Sequence, residues 1–330
     1  MRRVVLSYET LPIAAELAIA GRGCTVRTNT STVISSLWKW RTVGAEGFEE
    51  EFELSVAVDG SMRRQEAQPQ FRGRRQFVFA TFHGIETFIF DLVARRVSAV
   101  ISEETAQDVD FWNTVLIPIV MGVMGPSLGL APMHSACLEM GGRGMLVAGI
   151  SGAGKSTLAT ALAKEGMALV SDDWIYVGES DGRVRVHGLD VPVKLMPDTA
   201  EYFPELKEMQ PGIALNGELA YEVDARETLG VQTSAVCEPE CIVFLERTTG
   251  ESRIEPLGKP AAKEFFVRNA ELLPPELSEA TEKRRRIIDA VADRDCWHFQ
   301  YAGNPREGAA RLRKFFEETY DARSTYASAY

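Results

Sequence analysis

Residues 149–156 read Gly-Ile-Ser-Gly-Ala-Gly-Lys-Ser and fit the pattern G-x-x-x-x-G-K-[ST] at every fixed position. An apolar run, MLVAG, precedes the motif, and a helix-forming stretch follows from Lys155 to about Glu165. Glycines let backbone N–H groups converge on phosphate oxygens without Cβ clashes, and the start of the helix adds its partial positive charge. The expected phosphate cradle is Gly149, Ser151, Gly152, Ala153, Gly154, Lys155, Ser156 and Thr157. In it, Lys155 reaches the β- and γ-phosphates and the Ser156 hydroxyl ligates Mg²⁺.

A second constellation follows the apolar run 167–170, where Ser171-Asp172-Asp173 closes a strand. A carboxylate at the end of a buried strand beside a phosphate loop is where Mg²⁺ is held. Neighbouring side chains leave a strand on opposite sides. One acid can then face the metal and the other an acceptor hydroxyl as general base, and which does which stays open. The metal set is therefore Ser156, Asp172 and Asp173. His134, on a strand shortly before the loop, is the third candidate; a lone histidine is more often structural, and its sequence neighbours decide its reading.

The elements that must position these groups fall into two parts. The first hundred residues read as strands and turns: 4–8, 24–28, 52–58, 76–82 and 87–93, with Asp59-Gly60 and His83-Gly84 as turns. Residues 31–40 read as a short helix capped by Ser31, 92–100 as a strand and 107–124 as a helix. After Gly125 come a strand over 133–140, the loop strand 145–149, its helix, and strands over 167–173, 174–178 and 183–189. Residues 198–209 read as a helix disturbed by Pro204. Cys237 to Cys241 reads as a loop leading into the strand 241–247, with helices over 259–269 and 278–295, a strand over 297–302 and a last helix after Asn304-Pro305. The division expected is 1–125, β-rich and ending in a buried helix; 126–320, an α/β phosphate-loop domain; and 321–330, a frayed tail.

Composition narrows the partners. There are 36 Lys plus Arg against 47 Asp plus Glu, a formal charge of −11, which argues against general binding of nucleic acid or an anionic membrane. Residues 111–133 carry no charge and match a membrane span in length. Pro118, Pro126 and Pro132 break the run, however, and the acidic stretch before it is the wrong flank. A buried helix ending near Gly125-Pro126 is the reading, with no membrane partner. The five cysteines are odd in number and widely spaced, which fits reduced thiols in the cytoplasm.

Residues 133–177 resemble the catalytic core of the HPr kinase/phosphorylase family: a His-bearing strand, a GxSGxGKS loop, a helix ending in Gly, and an apolar strand closed by Asp-Asp. More closely, the chain is similar to divergent HPr-kinase-related bacterial proteins, and 191–203 (VPVKLMPDTAEYF) has the look of that group. The resemblance is specific over about 45 residues, weaker from there to about 320, and only general over 1–120. It implies a phosphoenolpyruvate-carboxykinase-like α/β P-loop core with a mixed sheet, ATP and Mg²⁺ as cofactors, phosphoryl transfer to a serine hydroxyl, and a homo-oligomer. It also implies roles: Gly152, Gly154, Lys155 and Ser156 on phosphate and metal, Asp172 and Asp173 as base and metal neighbour, and His134 against the phosphates or orienting an Asp. The downstream LEIRGxGI-like signature, which supplies a metal-binding glutamate, has no matching Glu; residues 184–189 (VRVHGL) are nearest. The Gly/Arg-rich segment tied to the reverse reaction has no clear counterpart beyond Arg268-Asn269. The reverse reaction and HPr as acceptor therefore stay outside what carries over. Lys194 is either a replacement phosphate contact or an ordinary surface lysine.

Three functions are consistent with these residues. The first is an ATP- and Mg²⁺-dependent kinase acting on a serine of a protein or peptide. The second is a kinase of a small hydroxylated molecule, and the third a nucleotide-binding sensor or scaffold without transfer. The intact lysine, hydroxyl and carboxylate pair favours catalysis.

Overall fold

The computed structural model describes residues 11–40, 51–180, 182–214, 217–270 and 273–321. The expected strand at 4–8 and the tail from 322 lie outside them. The fold is mixed α/β and its contacts divide it into two units, residues 1–131 with 271–284, and residues 132–270 with 285–330.

The first unit is built on a seven-stranded sheet in the order β1-β2-β3-β7-β6-β5-β4. Its strands are β1 (Ile13–Ile19), β2 (Arg22–Thr28), β3 (Phe52–Val58), β4 (Gln70–Arg74), β5 (Phe77–Phe82), β6 (Glu86–Asp91) and β7 (Arg96–Ile101). His83 and Gly84 both take positive φ in the β5–β6 turn, the conformation a tight hairpin needs. Residues 92–95 turn rather than extend, so β7 starts later than its sequence suggests. Helix α1 (Ser31–Ser36) is capped by Thr30, not Ser31: the Thr30 hydroxyl accepts the Thr32 N–H at 3.3 Å. Helix α2 (Glu103–Gln107) stops at Asp108, whose carboxylate caps the next helix through the Phe111 N–H at 2.9 Å.

That next helix, α3 (Val109–Leu128), is long and apolar enough to cross a membrane, and 61% of its most apolar window is buried inside the protein. Pro118 offers no N–H to the helix ladder. The turn before it widens to a π-turn, in which the Ile117 N–H reaches back to Trp112. The α-helical part ends at Met124, and a tight turn from Gly125 to Leu128 closes on left-handed Gly129.

The second unit carries the motif residues. Its main sheet joins β8 (Leu130–His134), β9 (Ala136–Met140), β10 (Arg143–Ala148), β11 (Ala168–Ser171), β12 (Trp174–Ser180), β13 (Arg183–His187), β17 (Val236–Arg247), β18 (Arg253–Pro256) and β19 (Asp295–Tyr301). Strands β10, β17 and β19 run parallel, with β17 in the middle; β9 is antiparallel to β10, and β11 to β9. The ends of β10, β11, β17 and β19 therefore point to one edge. A small sheet in the order β14-β16-β15 is made of β14 (Val193–Leu195), β15 (Gly212–Ile213) and β16 (Leu219–Val223). Buried side chains of α4 (Lys155–Lys164), α7 (Pro305–Phe316) and this small sheet share one core with β10, β17 and β19. Two further helices are α5 (Lys259–Arg268) and α6 (Ser278–Ala292).

Three further expectations change. The run 133–140 is two strands, broken at buried Ser135, and β8 lies at the far end from β9. The segment 237–241 belongs to β17 rather than to a loop; a register shift against β10 accommodates Pro239, which cannot donate to a ladder. Residues 198–209 form only short tight turns, Pro197–Glu201 and Pro204–Leu206. All five cysteines are buried thiols outside any disulfide.

Gly188, just after β13, passes so close to β11 that an added Cβ would sit 1.7 Å from the Val170 carbonyl oxygen. The obstructing atom is backbone, and β11 leads directly into the bend that carries the two motif carboxylates. Gly188→Ala is expected to lower stability by about 3 kcal/mol or more in a denaturant titration, while Gly250→Ala, which meets nothing nearer than 3.7 Å, changes it little.

Candidate active site

The phosphate loop leaves β10 and turns on Gly152 and Gly154, both at left-handed φ, before α4 begins at Lys155. No side chain caps α4, and the Leu158 N–H is already bonded to the Gly154 carbonyl. The N–H groups of its first turn therefore face outward with no intrahelical acceptor. Lys155 folds back over the loop, its Nζ donating to the Gly149 carbonyl at 3.2 Å. Burial holds its ammonium below the usual lysine range, while Asp173 and Asp172 oppose that shift.

The loop forms one wall of a cleft of about 560 Å³. Ser151, Gly152, Gly154, Lys155, Ser156 and Thr157 line it, and so do His134, Asp172 and Asp173 from the other elements. Gly149 and Ala153 do not. Ala153 is buried in the core, and Gly149 supports the loop where β17 passes, leaving room for no Cβ beyond 3.0 Å from the Leu245 carbonyl. The sequence motif thus divides into residues that face a ligand and residues that hold the loop.

The two carboxylates occupy opposite environments. The Ser171 hydroxyl donates to the Trp174 carbonyl at 2.6 Å and pins the bend between β11 and β12 on which both acids sit. Asp172 is only 7% exposed. It accepts hydrogen bonds from the Ser156 hydroxyl and, through Oδ2, from the Lys194 N–H at 3.3 Å. Its Oδ1 is buried without a hydrogen-bond partner. Burial, with the Asp173 charge behind it, pushes the Asp172 carboxyl up to about 7; Ser156, the Lys194 N–H and Lys155 pull the other way. The Asp173 side chain is 56% exposed and accepts the His134 Nε2–H at 2.6 Å. The His134 ring stacks on Trp174 with centroids 5.5 Å apart.

Several cleft residues carried no motif. Lys194 lines the cleft from β14 and its ammonium binds Glu218 at 2.6 Å, so it is not a bare surface lysine. Trp174 clamps the histidine. Tyr202 lies in the run 191–203 already singled out, but Arg247 had no local signal. What could have found it is its place at the C-terminal end of a parallel strand beside the loop, where open α/β sheets bind ligands.

The donor set suits a hard cation. A buried carboxylate oxygen without a partner lies on the same side chain that the Ser156 hydroxyl already contacts, and hydroxyl and carboxylate oxygens with phosphate and water are the usual surroundings of Mg²⁺. Among the described residues no cluster of three or more His, Cys, Asp and Glu stands ready to hold a metal alone. Such an ion would need phosphate oxygens to complete its shell.

The raised Asp172 carboxyl fixes the sign of a pH effect. Between about pH 4 and 7 the folded state keeps a proton that the unfolded state has released, so this group's contribution to stability falls as pH rises through that window. In chelator, Asp172→Asn should match the wild type near pH 4 and exceed it above pH 7 by on the order of 2–4 kcal/mol. Paired denaturant titrations across the window measure this, and a gap that does not widen with pH would contradict the burial argument.

Comparison with known proteins places this segment. Residues 129–192 match the family model described as the HPr Serine kinase C-terminal domain. A curated HPr kinase/phosphorylase of Clostridium novyi (strain NT) is 46% identical over 59 residues, which is 17% of this chain and 19% of that protein. The match thus spans about a fifth of the relative's length. The solved Hpr(Ser) kinase/phosphatase of Coxiella burnetii aligns over 60% of this chain and 95% of its own, at 12% identity and a TM-score of 0.34. The segment that holds the loop, the histidine and both carboxylates is thus similar to the C-terminal domain of HPr kinases.

Proposed function

We propose that the chain is a kinase that transfers the γ-phosphoryl group of ATP to a serine hydroxyl of a protein or peptide, in the cytoplasm, with residues 126–320 as a phosphoenolpyruvate-carboxykinase-like catalytic domain. The observation that carries this reading is the split between the two carboxylates, one buried against the Ser156 hydroxyl and one open to the cleft and held by His134. Adjacent acids in unlike environments take unlike roles.

The outward N–H groups of the loop and Lys155 bind the phosphates. Ser156 and Asp172 would hold Mg²⁺, which when bound neutralises charge on the transferring group. Asp173 accepts the proton of the attacking serine Oγ. The new bond joins that oxygen to the γ-phosphorus as the bond to the β-phosphate oxygen breaks, leaving ADP. His134 donates its Nε2–H to Asp173 and fixes its direction, and Trp174 holds the ring. Most of the rate in such a site comes from alignment and charge neutralisation.

The test is transfer of label from γ-labelled ATP with Mg²⁺ to polypeptides of a host lysate. Asp173→Asn should lower transfer by about 10²–10⁴-fold while leaving ATP binding within about threefold. Lys155→Ala should weaken binding itself. ATP binding with no transfer to any polypeptide or small molecule would leave a nucleotide sensor.

A further inference from the structure

We propose that Arg247, held by Tyr301 and Tyr202, is an oxyanion subsite for the terminal phosphoryl group of the nucleotide. The proposal rests on the kinase reading and assigns a group that the phosphate-loop motif does not contain.

Arg247 is the last residue of β17, the strand between β10 and β19. Ala148, the last residue of β10, pairs with Phe244, so Arg247 extends three residues past the end of β10, alongside the phosphate loop. A Cβ on Gly154 would lie 4.0 Å from its Cδ and Nη1, and 3.1 Å from the Tyr301 hydroxyl. The guanidinium thus stands beside the loop's last glycine, on the cleft wall.

Its partners are neutral. Nη1 donates to the Tyr301 hydroxyl at 2.8 Å, and the guanidinium lies 4.8 Å from that ring's centroid. Tyr202 supplies a second hydrogen bond. The neighbouring acid, Glu246, points to the other side of the strand and binds His298 at 2.8 Å. Among the described residues no carboxylate lies within ion-pair distance of Arg247. Lys194, by contrast, is neutralised by Glu218. A guanidinium has five N–H donors, and two tyrosine oxygens leave most of them unused. An arginine oriented by stacking, unpaired, and set against a phosphate loop in a chain of charge −11 fits a phosphate oxyanion by bidentate contact.

The same chemistry could come from the γ-phosphate of ATP or from free orthophosphate, and calorimetry with Mg²⁺ on the full chain separates them. Wild type should bind ATP more tightly than ADP. Arg247→Gln should weaken ATP by about tenfold and leave ADP unchanged, so that the preference collapses. Arg247→Lys keeps charge without the fork and should fall between. Tyr301→Phe removes the anchoring hydroxyl and should erode the preference in the same direction. Orthophosphate that binds wild type with ADP in place and loses affinity in Arg247→Gln would support the same subsite.

If Arg247→Gln binds ATP and ADP in the wild-type ratio, or loses both equally, the proposal fails and the kinase reading stands. If wild type binds neither nucleotide, both fall together. Loss of both in Lys155→Ala, with the ratio altered only in the Arg247 variants, is the result expected.

Discussion

A carboxylate taken almost wholly out of water is the constraint around which the second unit is arranged. Asp172 ends a buried strand, and an ionised acid there is costly unless something shares its charge. The surroundings supply only part of it: one hydroxyl, one backbone N–H and a lysine. They come from two elements, Lys155 and Ser156 from the first turn of α4 and the N–H of Lys194 from β14. The unpaired Oδ1 is the remainder. In the proposed reading a cation would meet that oxygen and remove the desolvation cost that the protein alone does not cover.

Such an acid stays in place only if the chain around it cannot relax. The Gly188 backbone lies on the Val170 carbonyl, and the Ser171 hydroxyl ties the bend to Trp174, so β11 can neither rise nor slide. On the far side, Trp174 presses on His134, which in turn holds Asp173. The bend thus fixes two acids at once on the wall of one cleft, and packing gives them different environments, one buried and one exposed. The parallel run β10, β17 and β19 then brings the loop, Arg247 and Tyr301 to the same edge.

What could be read from the sequence was what is local. The loop needs glycines at two left-handed positions and a helix directly after it, and those requirements are written within eight residues. The acid pair is likewise announced by the apolar run before it. The histidine was placed on a strand but in the wrong element, since 133–140 alternates smoothly and nothing in side-chain type marks the corner at Ser135. The run 198–209 reads as a helix disturbed by Pro204, yet Pro197 just before it and Pro204 within it each open only a single tight turn. Strands of two to five residues, as in the small sheet that carries Lys194, are too short for a period to register. Arg247 and Tyr301 meet the loop only because β17 pairs with both of its neighbours, and pairing over such distances leaves no mark in composition.

In the kinase proposed above, the openness of Asp173 bears on what the acceptor would be. An acid 56% exposed at the mouth of a cleft is as accessible to water as to a hydroxyl, and water would divert the phosphoryl group to hydrolysis. A small acceptor covers little of that opening. A polypeptide that presents a serine to Asp173 brings its own surface across the mouth and excludes water as it docks. Trp174, 42% exposed beside the acid, and Met196, 43% exposed on the cleft wall, offer such a surface apolar area to bury. The closure that chemistry demands is then supplied by the substrate, and this favours a macromolecular acceptor over a metabolite.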